Sequence, residues 1–150
     1  MQSKLWSSGL ALVFLAVCAP AAATLGEDAS SVLADQTQLQ AALQVASAAK
    51  FDVHRMQLPS GTTINEYVSL AGMVFAVTWQ GPAMPDLEQV LGRHFAAYVE
   101  AVKHRGVGGG ARATEPSGLV VQSGGHMRAY VGRVYLPSML PRGVSAEEIQ

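Results

Sequence analysis

Two groups of side chains in this sequence have the types and spacing for proton transfer or nucleophilic chemistry. The first is His54 with Glu66. Between them lies Leu58-Pro59-Ser60-Gly61-Thr62, which reads as a three-residue hairpin loop. Pro59 presets φ for a type I turn, and Gly61 takes the left-handed position of a G1 bulge. That loop sets His54 directly across from Glu66, on a face shared with Met56, Ile64 and Val68. A carboxylate beside an imidazole can poise it near neutrality for general acid or base work. The plainer alternative is a structural pair at a sheet edge. A carboxylate within about 4 to 6 Å raises a histidine pKa and burial lowers it; at a partly wet edge the expectation is that the charge wins.

The second group is Ser123, His126, Arg128 and Tyr130. In a hairpin folded about Gly124-Gly125, Ser123 and His126 sit side by side, and Arg128 and Tyr130 continue their face at every second residue. This is either a Ser-His nucleophile pair with a nearby cation or a row of hydrogen-bonding groups for a ligand. The plain reading is turn chemistry and a solvated strand face. A serine nucleophile also needs an orienting acid and an oxyanion hole, and no motif supplies them, so ligand contact is preferred to catalysis. His94 and His104 lie ten residues apart and do not share a helical face, which argues against a histidine metal site there. Tyr67 and Trp79 read as strand packing rather than a platform for a sugar ring. No cofactor and no metal is expected.

These groups need elements to hold them. Glu27 to Gln44 carries Val32, Leu39 and Leu43 on one narrow stripe, which predicts a helix. Three β-rich runs follow between Phe51 and Gln80. Taken as a two-residue turn, Ala71-Gly72 pairs Leu70 with Met73, Val68 with Phe75, Glu66 with Val77 and Ile64 with Trp79. Asp86 to Arg105 is the strongest helix. Leu87, Val90, Leu91, Phe95, Tyr98, Val99 and Val102 form its apolar face, Asp86 and Gln89 make a capping-box-like start, and Gly106 ends it. The glycine-rich stretch 106–118 lacks the Lys-Ser or Lys-Thr of a phosphate cradle and reads as a linker. Leu119–Gln122 and His126–Leu136 make the second hairpin, and Ser145-Ala146-Glu147-Glu148 opens a short final helix or tail. The expected order is α-β-β-β-α-β-β: an α+β domain with an antiparallel sheet of about five strands and helices on one face.

Ahead of that domain stands a different kind of segment. Lys4, an apolar run from Leu10 to Val17 and the small residues Ala21-Ala22-Ala23 follow the order of a cleavable secretory signal over residues 1–23. The run is bounded by Ser7, Ser8, Gly9 and Pro20, too short for a membrane span. Lipidation at Cys18 is disfavoured, because the preceding Val17 is not small. Removing residues 1–23 takes away Lys4 and Cys18, so ten basic and eleven acidic residues become nine and eleven. No positive excess is left to track a phosphate backbone, which argues against nucleic acid as a partner. With no cysteine left, disulfides, thiolate metal sites and a cysteine nucleophile are excluded together. Residues 24–150 are sized for one domain with one core.

The wording of QSGGHMRAY and VFAVTWQGP is unusual. In the segments holding them, and from about Leu25 to the C-terminus, the chain resembles a family of exported bacterial proteins known only as a domain of unknown function. The resemblance implies a periplasmic or secreted setting and brings no activity with it. The expected function is a non-catalytic envelope protein, a binding or accessory module contacting another exported protein or a glycan. The alternatives are a small hydrolase using Ser123 and His126 or His54 and Glu66, and a structural subunit of an envelope assembly.

Overall fold

The computed structural model describes residues 25–103, 113–114 and 118–150. The expected signal segment, with Lys4 and Cys18, lies outside these residues. So do His104 and most of the glycine-rich stretch.

The architecture is α+β, built on one antiparallel sheet of seven strands in the order β1-β2-β3-β4-β7-β6-β5. The strands are β1 (Ala42–Ser47), β2 (Phe51–Gln57), β3 (Thr63–Ser69), β4 (Val74–Gly81), the two-residue β5 (Ala113–Thr114), β6 (Val120–His126) and β7 (Ala129–Tyr135). The two strand groups that the sequence left unjoined meet where β4 pairs with β7. The helices are α1 (Ser30–Gln38), α2 (Leu87–Leu91) and α3 (Phe95–Lys103). Among the described residues no helix is long and apolar enough to cross a membrane.

The strand count exceeds the expected five, chiefly because the first helix is shorter than its stripe suggested. Gln40 adopts φ 51°. Its N–H donates to the Thr37 carbonyl, and the Ala41 N–H donates to the Gln36 carbonyl. This is a Schellman motif with glutamine in the left-handed position usually held by glycine. The chain leaves it as β1, an edge strand that holds no charge and no proline. The second helical stretch is also broken. Asp86 caps it by accepting from the Gln89 N–H at 3.1 Å, but α2 gives way to a 3-10 turn over Gly92–His94 before α3 begins.

The hairpin around Pro59-Ser60-Gly61 is as read, with Gly61 at φ 86° and His54 opposite Glu66. At the next turn the reading needs correction. The Ser69 N–H donates to Met73, so Leu70-Ala71-Gly72 forms a three-residue loop with Gly72 at φ 80°, and Leu70 is exposed rather than paired with Met73. The register then shifts between Tyr67 and Val68, so Val68 faces Val74 rather than Phe75. The longer loop and the bulge cancel, which is why Glu66 still faces Val77 and Ile64 still faces Trp79.

The bulge serves both faces of the sheet. Val74 packs with Val77 and Trp79 in the core formed with Val32 of α1, Leu87, Val90 and Leu91 of α2 and Tyr98 of α3. Phe75 turns to the opposite face, where it packs on Phe51 and Tyr67 with ring centroids 5.9 and 6.1 Å away. Helices therefore cover one face. The other is covered over part of its area by the segment after β7, with Val144 and Ile149 buried in this second core. That segment ends in a 3-10 turn, Ala146–Glu148, closed by a Ser145–Glu148 capping box.

Candidate functional site

The face without helices is divided by its own side chains. One row across it is Val53, Tyr67, Ala76, Tyr135 and Val120, apolar or aromatic positions beneath the C-terminal segment. Two residues along each strand, the next row on that face is polar throughout: Gln44, Arg55, Asn65, Thr78, Arg133 and Gln122. Each lies opposite the next, so the row crosses six strands at about 4.8 Å per step. The following row adds Gln57, Thr63 and Gln80 before ending on Val131 and Gly124. Together these rows floor an open groove of about 960 Å³, bordered by Ile149 and Gln150.

Hydrogen bonds tie the row together. Arg55 Nε donates to Asn65 Oδ1 at 3.1 Å, and Asn65 Nδ2 donates to Thr78 Oγ1 at 3.1 Å. Arg133 Nε donates to Gln122 Oε1 at 2.6 Å. In the next row Thr63 Oγ1 donates to Gln57 Oε1 at 3.0 Å. The row also holds the C-terminal segment. Arg133 Nη1 donates to the carbonyls of Ala146 at 2.6 Å and Ile149 at 2.8 Å. The Gln150 main-chain oxygen accepts from Asn65 Nδ2 at 3.4 Å and Thr78 Oγ1 at 3.3 Å, and from the Tyr67 hydroxyl. No Asp, Glu or His lines the groove. Among the described residues the ion pairs are Arg93–Glu27 and Lys103–Glu100, which leaves Arg55 and Arg133 without a carboxylate partner.

The residues singled out from sequence fall elsewhere or fall apart. The second hairpin turns at Met127-Arg128, with Arg128 at φ 66°, and β6 runs straight through Gly124-Gly125. Ser123 therefore pairs with Gly132 and His126 with Ala129, on opposite faces of the sheet, so the two are not side by side. Arg128 lies in the turn and Tyr130 opposite Gly125, so the single strand face of His126, Arg128 and Tyr130 is not formed. Ser123 borders the groove; Arg128 and Tyr130 line a depression of about 440 Å³ beside Gln80 and Val131.

His54 and Glu66 do face each other, on the helix-covered side. Glu66 is fully buried and His54 half-buried, with its Nδ1 making no hydrogen bond among the described residues. The His54 pKa is lowered, not raised: burial dominates, and the carboxylate opposing it is Asp52 on the same strand. His94 is lowered too, by burial and then by Arg93, with Glu27 opposing. No group of three or more His, Cys, Asp or Glu side chains converges among the described residues.

Reasoning from reactive pairs missed the polar row, yet its signal was present. The loop that puts His54 on Glu66 also puts Arg55 on Asn65 and Gln57 on Thr63. A polar residue at every second position, in three consecutive strands of known register, marks an uncovered face.

A family model described as a protein of unknown function (DUF2844) matches residues 21–149. No curated protein and no solved structure matches the chain.

Proposed function

We propose that this chain, which belongs to the DUF2844 family of proteins of unknown function, is an exported, non-catalytic binding module of the cell envelope whose ligand lies in the groove. The observation that carries this reading is the continuous polar row from Gln44 to Gln122, with two guanidiniums that no lining Asp or Glu side chain balances. Carboxamides, hydroxyls and guanidiniums hold a ligand through directed hydrogen bonds. No Asp, Glu or His side chain among the lining residues supplies a general acid or base. The separation of Ser123 from His126 and the burial of Glu66 weigh against the two hydrolase pairs. Export draws its support from the order of Lys4, the apolar run and Ala21-Ala22-Ala23.

The groove carries its own reporters, the side-chain NH₂ groups of Gln44, Gln57, Asn65, Gln80 and Gln122. In a ¹⁵N NMR titration of the protein with fractionated periplasmic extract, these signals are expected to move together. The response should weaken in Arg55→Gln. Shifts confined to the helical face, or hydrolysis of an ester or peptide in the extract, would overturn the reading.

A further inference from the structure

We infer that the groove takes an extended acidic peptide whose two carboxylates, four residues apart, meet Arg55 and Arg133. This rests on the binding reading above and names its ligand.

The row already handles peptide. Arg133, Asn65 and Thr78 donate to main-chain oxygens of Ala146, Ile149 and Gln150, in a 3-10 turn and the two residues after it, so its donors reach main chain laid over the sheet. Beyond that segment, unused capacity remains. Arg55 spends only Nε on Asn65, and Arg133 keeps Nη2 after its bonds to Gln122, Ala146 and Ile149. Both are donor groups shaped for a carboxylate.

Spacing defines the ligand further. Arg55 and Arg133 are three strands apart in one cross-strand row, which is about 14 Å at the strand separation of a sheet. An extended peptide advances about 3.4 Å per residue and returns each side chain to the same side every second residue. Residues i and i+4 therefore lie on one side and about 14 Å apart. Charge favours the same ligand: the charged side chains that line the groove are Arg55 and Arg133, against a slight acidic excess over the chain as a whole. An acidic glycan fits less well. Tyr67 and Trp79 are 4% and 1% exposed, so neither offers a ring face for a sugar to stack on.

The test uses fluorescently labelled peptides in a Gly-Ser background with two glutamates separated by one, three or five residues. A version with both glutamates replaced by glutamine and a short oligogalacturonate serve as comparators. Anisotropy is measured against the full chain and against Arg55→Gln, which changes an exposed side chain; its thermal unfolding is recorded to establish that it folds. The three-residue spacing is expected to bind at least fivefold more tightly than the others, and Arg55→Gln to remove most of that advantage. Equal binding at all spacings, no binding of any peptide, or tighter binding of the oligogalacturonate would overturn the inference. If no peptide binds while periplasmic fractions still move the groove's NH₂ signals, the peptide assignment falls and the binding reading stands.

Discussion

A Cβ added at Gly132 would lie 2.2 Å from Cζ2 of Trp79. The indole occupies the space a side chain at position 132 would need, so the absence of that side chain is a packing requirement of the strand pair. Gly132→Ala is expected to cost about 1–3 kcal/mol, as overpacking of a tight core does. The same change in a Trp79→Leu background should cost clearly less, and equal costs in urea melts would contradict this account. His54 sets a second residue-scale expectation. Its folded pKa is lowered by burial, so the unfolded chain binds the proton more readily. Stability is then undiminished above the unfolded value of about 6.5 and falls as pH drops from there through the folded value. His94 acts in the same direction. Urea midpoints should fall between pH 7.5 and 5, and His54→Gln should narrow that gap. An unchanged gap would show that the imidazole is not desolvated on folding.

At the scale of elements, sequence and structure agree where a turn residue announces itself and part where it does not. Pro59 and Gly61 made the first hairpin readable, and with it the opposition of His54 and Glu66. Gln40 gives no such notice, because only its backbone marks the end of α1, so the expected helix runs on to Gln44, into the first half of β1. The Leu70-Ala71-Gly72 loop was read one residue short. The bulge hid the error, since loop and bulge offset each other and the distal pairs came out right. In the last hairpin Gly124-Gly125 looked like a turn, and the turn formed at Met127-Arg128 instead, separating Ser123 from His126. The Schellman end of α1 carries its own test. Gln40→Gly relieves a left-handed residue that bears a Cβ, and is expected to stabilise the protein by about 1 kcal/mol in thermal or urea unfolding. Destabilisation would mean that the Gln40 side chain matters more than its backbone.

At the scale of the molecule, one sheet separates two environments. Its helix-covered side holds the larger core, and the C-terminal segment closes half of the other side over Phe51, Tyr67 and Phe75. The open half was hidden from a reading by residue type, because glutamines, threonines and arginines on alternate positions look like ordinary solvated strand residues. Only the pairing across six strands, including the β4–β7 join, makes them a single surface. The same sheet has an outer margin at β1. Among the described residues no strand pairs with it, and Ala42–Ser47 offers no charge, proline or bulge to repel one, while Val45 is 56% exposed. Natural proteins commonly guard such margins, since a bare one templates the addition of further chains. Concentrated solutions of this protein should therefore drift toward ordered, strand-stacked assemblies without first unfolding. Val45→Lys should slow that drift, as followed by light scattering and thioflavin fluorescence. The colloidal lifetime of the protein would then be set by six residues that contribute little to its core.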